Sequence, residues 1–176
     1  LRTLIETERA PAEPTEAATI EVVATVRGTR VAVARKDLED ADTVGDVDPY
    51  FFCEDYTVAA STGMVMWEGS WACIELLRQE NSWLSELVHG RRVVELGAGI
   101  GLLGLCAAAA GAHVLATDVP SVVEARLEPN MLASGAPMNG DAPPGAWTGA
   151  RRLGAGTATC QPLDWYYPVH DQLTPD

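Results

Sequence analysis

Cations are scarce in this chain. Twelve Lys and Arg against 25 Asp and Glu leave a formal net charge of −13. Binding phosphates over a broad surface needs clustered Lys and Arg, so no nucleic-acid partner is expected, whereas a basic partner or a cationic ligand is easily accommodated. The four cysteines, Cys53, Cys73, Cys106 and Cys160, form no C-x-x-C pair, and His89, His113 and His170 are scattered. Zinc spacing is therefore missing and no metal site is expected. Cys73 and Cys106 stand in apolar helical contexts and read as small core residues. That usage fits a reducing compartment, the cytoplasm or alternatively the nucleus. No run approaches the roughly 20 apolar residues of a membrane span, so no membrane partner is expected. The start, Leu1-Arg2-Thr3-Leu4-Ile5-Glu6, lacks the basic-then-apolar order of a secretory signal. An initiator Met is also missing, which reads as a fragment or a processed product. Oligomeric state is not legible at this level.

What is present centres on Arg91-Arg92-Val93-Val94-Glu95-Leu96-Gly97-Ala98-Gly99-Ile100-Gly101. It reads as a buried strand, a glycine turn and the start of a helix. Asp118 stands seventeen residues after Gly101, at the tip of a second apolar strand, His113 to Thr117. A glycine turn lets a ligand approach bare backbone, and a carboxylate at the next strand tip can accept hydrogen bonds from both hydroxyls of a ribose. The pair points to a nucleoside-bearing cofactor.

The rest of the chain places this unit. Residues 1–18, rich in Glu, Ala, Pro and Thr, read as a mobile lead-in. Residues 19–60 form a hairpin and strand region: two β-branched runs, Thr19 to Val26 and Arg30 to Arg35, flank Arg27-Gly28-Thr29, and a further strand is expected over Tyr50 to Ala60. Residues 37–48 read as a solvated acidic loop. The third region is 61–176. Ser70 is expected to cap a helix through Leu77, and Ser82 to start a short helix ending before Gly90. A helix from about Ile100 to Ala110 stops at Gly111. Ser121-Val122-Val123-Glu124 matches a capping box for a helix ending near Gly135, on which Asn130 either caps or meets a neighbouring strand. Residues 136–156, dominated by Gly, Ala and Pro, read as a flexible insertion, followed by a third strand over about Thr157 to Leu163. Helices alternating with parallel-type strands give an α/β fold. Gly97 to Gly101, Asp118 and Asp164-Trp165 all fall at strand carboxyl ends, where such folds bind ligands.

Two cofactors satisfy these residues. Gly99-Ile100-Gly101-Leu102-Leu103-Gly104 spells G-x-G-x-x-G, and Asp118 is spaced suitably for an NAD ribose, which would suit an oxidoreductase using NAD or a flavin. Glu95 ahead of alternating Gly97, Gly99 and Gly101 instead suits a ligand bearing an ammonium and a sulfonium, because a pyrophosphate wants an uncluttered helix N-terminus.

Taken in order, Met66-Trp67-Glu68-Gly69-Ser70, Val94 to Gly104, Ala116-Thr117-Asp118, Asn130 and Leu163-Asp164-Trp165 resemble the seven-β-strand protein-lysine methyltransferases, the class I family that modifies non-histone proteins, over about residues 60–165. The resemblance implies a Rossmann-like sheet with helices on both faces, preceded here by the hairpin. It implies S-adenosyl-L-methionine as cofactor and a lysine-bearing protein as substrate. By the same resemblance Trp67 lines the cofactor pocket and Glu95 opens the motif. Gly97, Ala98, Gly99 and Gly101 form the turn that meets the methionine and ribose portions. Asp118 holds the ribose hydroxyls, Asp164 lies near the adenine amino group, and Trp165 packs at the adenine end. Taken alone, either tryptophan reads as ordinary packing.

One family feature is missing. The Asp-x-x-Tyr at the end of the fourth strand has no counterpart, and Asp164-Trp165-Tyr166-Tyr167 spells it only after the third strand. No catalytic residue is assigned. The C-terminal strands and the catalytic motif are expected to lie beyond Asp176, making residues 61–176 the N-terminal part of an S-adenosylmethionine-dependent methyltransferase domain. A remnant that binds cofactor or protein without catalysis is the remaining alternative.

Overall fold

The computed structural model describes residues 19–36, 63–138 and 140–173. The lead-in, the acidic loop and the strand expected over Tyr50 to Ala60 lie outside them.

A β-branched alternation builds the first element. Strands β1 (Thr19–Val26) and β2 (Thr29–Lys36) pair antiparallel with Val26 opposite Thr29. Ala24, Val26, Val31 and Val33 face inward, while Glu21, Val23, Thr25 and Arg30 face out. The two-residue turn places Arg27 at φ 48° and Gly28 at φ 77°, the double left-handed turn that matches strand twist. Arg27 is held in this unusual conformation by Nη2, which donates to Ser85 Oγ at 2.8 Å.

Helix α1 (Glu68–Arg78) begins earlier than the Ser70 cap implied. Trp67 occupies the cap position without a side-chain cap bond, so Ser70 lies within the first turn. Helix α2 (Trp83–Val88) starts as expected, with Ser82 Oγ accepting from the Ser85 amide at 3.1 Å.

The sheet follows. Strand β3 (Arg92–Leu96) leads into α3 (Leu102–Ala109), then β4 (His113–Asp118). The chain next forms α4 (Pro120–Val122), a π-helical turn over Val123–Leu127, and α5 (Glu128–Ser134). Pro120 sits at the first helical position and no side chain caps this helix, so the Ser121 capping box does not form. Strands β5 (Arg151–Leu153) and β6 (Gly156–Pro162) complete the sheet, and a short α6 (Val169–Gln172) follows. Strand order is β3-β4-β6-β5, with β3, β4 and β6 parallel and β5 antiparallel to β6. Every residue of β4 is buried, as expected of a central strand covered on both faces. Among the described residues β3 and β5 are the two edges of this sheet, and β3 has Val94 and Leu96 exposed.

The core runs through Ile74, Leu77, Leu102, Leu105, Val114 and Leu127. The hairpin packs on α1, α3 and α5. Asn130 fixes that packing. Its Oδ1 accepts the Ala34 amide at 2.8 Å, and its Nδ2 donates to the Ala34 carbonyl at 3.0 Å and to the Ile100 carbonyl at 2.9 Å. Of the two roles left open for Asn130, the strand contact is the one observed, and it reaches the glycine turn as well.

The insertion is more ordered than its composition suggested. Trp147 Nε1 donates to the His113 carbonyl at 2.8 Å, and the Arg92 guanidinium stacks 3.6 Å above the Trp147 ring. Ala136 bridges to Arg152, and β5 lies inside the stretch read as flexible. A tertiary anchor on the amino-terminal ends of β3 and β4 overrides a Gly-, Ala- and Pro-rich sequence.

Candidate cofactor site

The carboxyl ends of β3, β4 and β6 converge because their parallel register puts Leu96 beside Thr117 and Asp118 beside Pro162. Backbone bonds continue the alignment past the strands. Ala98 N–H donates to the Thr117 carbonyl at 2.9 Å, and Leu163 N–H to the Asp118 carbonyl at 2.8 Å. Thr117, fully buried, sends its hydroxyl to the Glu95 carbonyl at 2.7 Å.

Between these ends lies a cavity of about 360 Å³, within the range of small-molecule sites. Trp67, Glu95, Gly97, Ala98, Gly99, Asp118, Asp164 and Trp165 all line it. Gly101 does not. It caps α3 at φ 83°, and a Cβ there would stand 2.5 Å from Leu127 Cδ1, on the core side. Gly101 therefore shapes the turn without facing a ligand.

Gly99 has two reasons to be glycine. Its φ is 56°, and a Cβ would meet the Gly63 carbonyl at 3.0 Å. The segment before α1 thus lies directly on the turn and carries Gly63, Val65 and Met66 to the cavity wall, joined by Ser70 from the first turn of α1. Of these, only Met66 and Ser70 fell within a motif recognised in the sequence; Gly63 had no readable signal beyond its Ser-Thr-Gly context. Trp165 closes the opposite side, its ring 3.8 Å from the Cβ position of Gly97.

Three carboxylates face the cavity, and no Lys, Arg or His lines it among the described residues. Asp118 is buried and pre-engaged. Oδ2 accepts the Gly99 amide at 2.7 Å and Oδ1 the Val119 amide at 2.8 Å. Each oxygen keeps a further lone pair for a ligand. Glu95 differs. Its Oε2 is buried and finds no hydrogen-bond partner. Burial pushes its pKa up to about 7; the backbone N–H of Gly104 offsets part of this and the charge of Asp118 adds to it. A Cβ on Gly104 would collide with this carboxylate, so glycine at 104 is what lets Glu95 tuck against α3. Asp164 Oδ1 accepts the Tyr166 amide at 2.9 Å, turning the chain so that Trp165 and Tyr166 reach the cavity.

These features fit an adenosyl cofactor with a cationic tail. An orphaned buried carboxylate oxygen wants a cation, and the Gly97–Gly99 cradle admits a ligand against backbone. No cationic side chain among the described residues of the lining neutralises a pyrophosphate.

The described residues place no group of three or more His, Cys, Asp and Glu able to hold a metal ion, and contain no helix long and apolar enough to cross a membrane.

Comparison with known proteins gives two findings. Residues 49–142, just over half of the chain, match the family described as lysine methyltransferase. Among solved structures, the chain is similar to the T. thermophilus 16S rRNA N2 G1207 methyltransferase RsmC, determined in complex with AdoMet and guanosine. The identity is 24%, the TM-score is 0.41, and the match covers 69% of this chain and 27% of the length of that one.

Proposed function

This chain belongs to the lysine methyltransferase family, and we propose that it binds S-adenosylmethionine and serves methyl transfer to a lysine side chain of a protein. The observation that carries the reading is the charge of the cavity lining: among the described residues Glu95, Asp118 and Asp164 line the glycine cradle and no Lys, Arg or His does. A sulfonium-bearing ligand gains from that field, and an anionic dinucleotide is repelled by it.

When bound, the cofactor supplies a methyl group already activated on positively charged sulfur. The chain's own residues then have three tasks. Asp118, fixed by the Gly99 and Val119 amides, accepts the ribose hydroxyls. Glu95 sets its buried carboxylate toward the ammonium and is held ionised by it, since an opposite charge lowers a carboxyl pKa. Trp67 lines the cavity wall beside the incoming amine and helps desolvate it, while Trp165 covers the adenine end. The lysine must arrive neutral, and an apolar, acidic mouth accepts it once its proton has left to solvent. The partner in this proposal is a lysine-bearing protein of the cytoplasm or nucleus.

Incubation with methyl-radiolabelled S-adenosylmethionine and cell extract tests the reading. Label in protein, recovered as methyl-lysine after hydrolysis and absent with Asp118→Asn, is the expected result. Label confined to nucleic acid or small molecules, or no transfer beyond the Asp118→Asn background, contradicts it.

A further inference from the structure

The cavity wall formed by Leu163, Asp164, Trp165 and Tyr166 belongs to no strand or helix. Something must hold it. The backbone answers only in part, through the Leu163 amide donating to the Asp118 carbonyl at 2.8 Å and the Tyr167 amide donating to the Asp164 carbonyl at 3.2 Å. Apart from the Asp164 carboxylate bond to the Tyr166 amide, the side-chain support comes from Gln172, at the end of α6. Its Oε1 accepts the Asp164 amide at 2.7 Å. Its Nε2 donates to the Asp164 carbonyl at 2.8 Å and to the Tyr167 carbonyl at 3.0 Å. The partners fix the amide orientation, because a backbone N–H can only donate and a carbonyl can only accept. The main chain of Gln172 is itself tied to β6, its carbonyl accepting from Gln161 Nε2 at 2.6 Å.

Gln172 therefore pairs with Asp164 through both backbone groups, as a neighbouring strand would, and carries that pairing back to the sheet. Asp164 is left with its carboxylate turned into the cavity and only Oδ1 engaged, by Tyr166.

We propose that Gln172 is a positioning residue for the nucleobase end of the cofactor site, setting Asp164 and Trp165 where they read the base. This rests on the cofactor reading above and deepens it. Gln172 touches no ligand; it acts through the loop it clasps. The side chain is well suited to a clean test, since it lies near the surface and outside the core.

Gln172→Glu keeps the shape and the Oε1 acceptor but puts a second oxygen opposite the Asp164 and Tyr167 carbonyls. Calorimetry with S-adenosylhomocysteine and with S-inosylhomocysteine, whose base carries a 6-oxo in place of the 6-amino group, reads the consequence. The wild-type chain is expected to prefer the adenine form. The variant is expected to bind S-adenosylhomocysteine about tenfold more weakly, in line with two lost hydrogen bonds, and to lose most of that preference. Its melting temperature changes little, because the clasped loop lies outside the core. Unchanged affinity and selectivity overturn the proposal, as does equal weakening toward both nucleosides with a lowered melting temperature, which marks a merely structural role. A wild-type chain that binds neither nucleoside overturns the cofactor reading itself, and the inference with it.

Discussion

Asp118 Oδ2 accepts the Gly99 amide at 2.7 Å, so the residue read from sequence as a ribose ligand is also a strut of the glycine turn. The two roles are one device. A carboxylate already fixed by two backbone amides needs no further ordering when a ligand arrives. Asp118→Asn presents one NH₂ group toward amides that can only donate. The expected outcome is loss of S-adenosylhomocysteine affinity of about a hundredfold, given that charge-assisted bonds are worth roughly 1.5–3 kcal/mol. Titration calorimetry checks it; affinity within a factor of two of wild type would exclude both roles.

Glu95 makes stability and cofactor affinity depend on pH in opposite directions. Its carboxyl ordinarily titrates near 4.5 and is raised to about 7 by burial. Between those values the folded chain holds a proton the unfolded chain has lost. Stability from this group is therefore full below pH 4.5, falls as pH rises to about 7, and is level above. The loss is on the order of 1–3 kcal/mol. Affinity for S-adenosylmethionine should instead rise with pH up to about 7, because the cationic tail prefers the ionised carboxylate. Glu95→Gln should flatten both profiles, measured by urea unfolding and by calorimetry at about pH 5 and pH 8.

Asn130 joins three chain segments that are distant in sequence. Asn130→Ala leaves the Ala34 amide, the Ala34 carbonyl and the Ile100 carbonyl without their partner. A cost of roughly 2–4 kcal/mol follows from orphaned buried groups. Hydrogen exchange should show lost protection along β2 and at the glycine turn together. Loss in the hairpin alone would mean that the Ile100 bond contributes nothing.

Trp147 offers a control at the opposite end of the sheet. Trp147→Ala removes the bond to the His113 carbonyl and the stack with Arg92. Stability should drop by about 2–4 kcal/mol, with affinity for S-adenosylhomocysteine unchanged. A parallel fall in affinity would contradict the separation of this anchor from the site.

The strand, glycine turn and following helix were legible because their causes are local: Gly99 and Gly101 supply positive φ, and Asp118 ends an apolar run. The hairpin was legible for the same reason, through Gly28 and the alternation around it. Helix starts were less so. The Ser70 and Ser121 signals were real chemistry outcompeted by neighbours, Trp67 taking one cap position and Pro120 fixing the first helical residue of the other. The π-helical turn over Val123–Leu127 has no local sign; it brings Leu127 against Gly101, a tertiary demand. Trp147 and Gln172 were invisible because each acts on backbone far from its own element. In the site, the motif residues were readable, whereas Gly63 and the Glu95–Gly104 contact depend on how segments meet.

On this account the cavity holds an adenosine bearing a positively charged sulfur, or its demethylated product. Calorimetric titration of the purified chain with S-adenosylhomocysteine, and separately with NADH, tests it most directly. Saturable one-to-one heat with the first and none with the second is the predicted result; binding of NADH with no response to S-adenosylhomocysteine would contradict it.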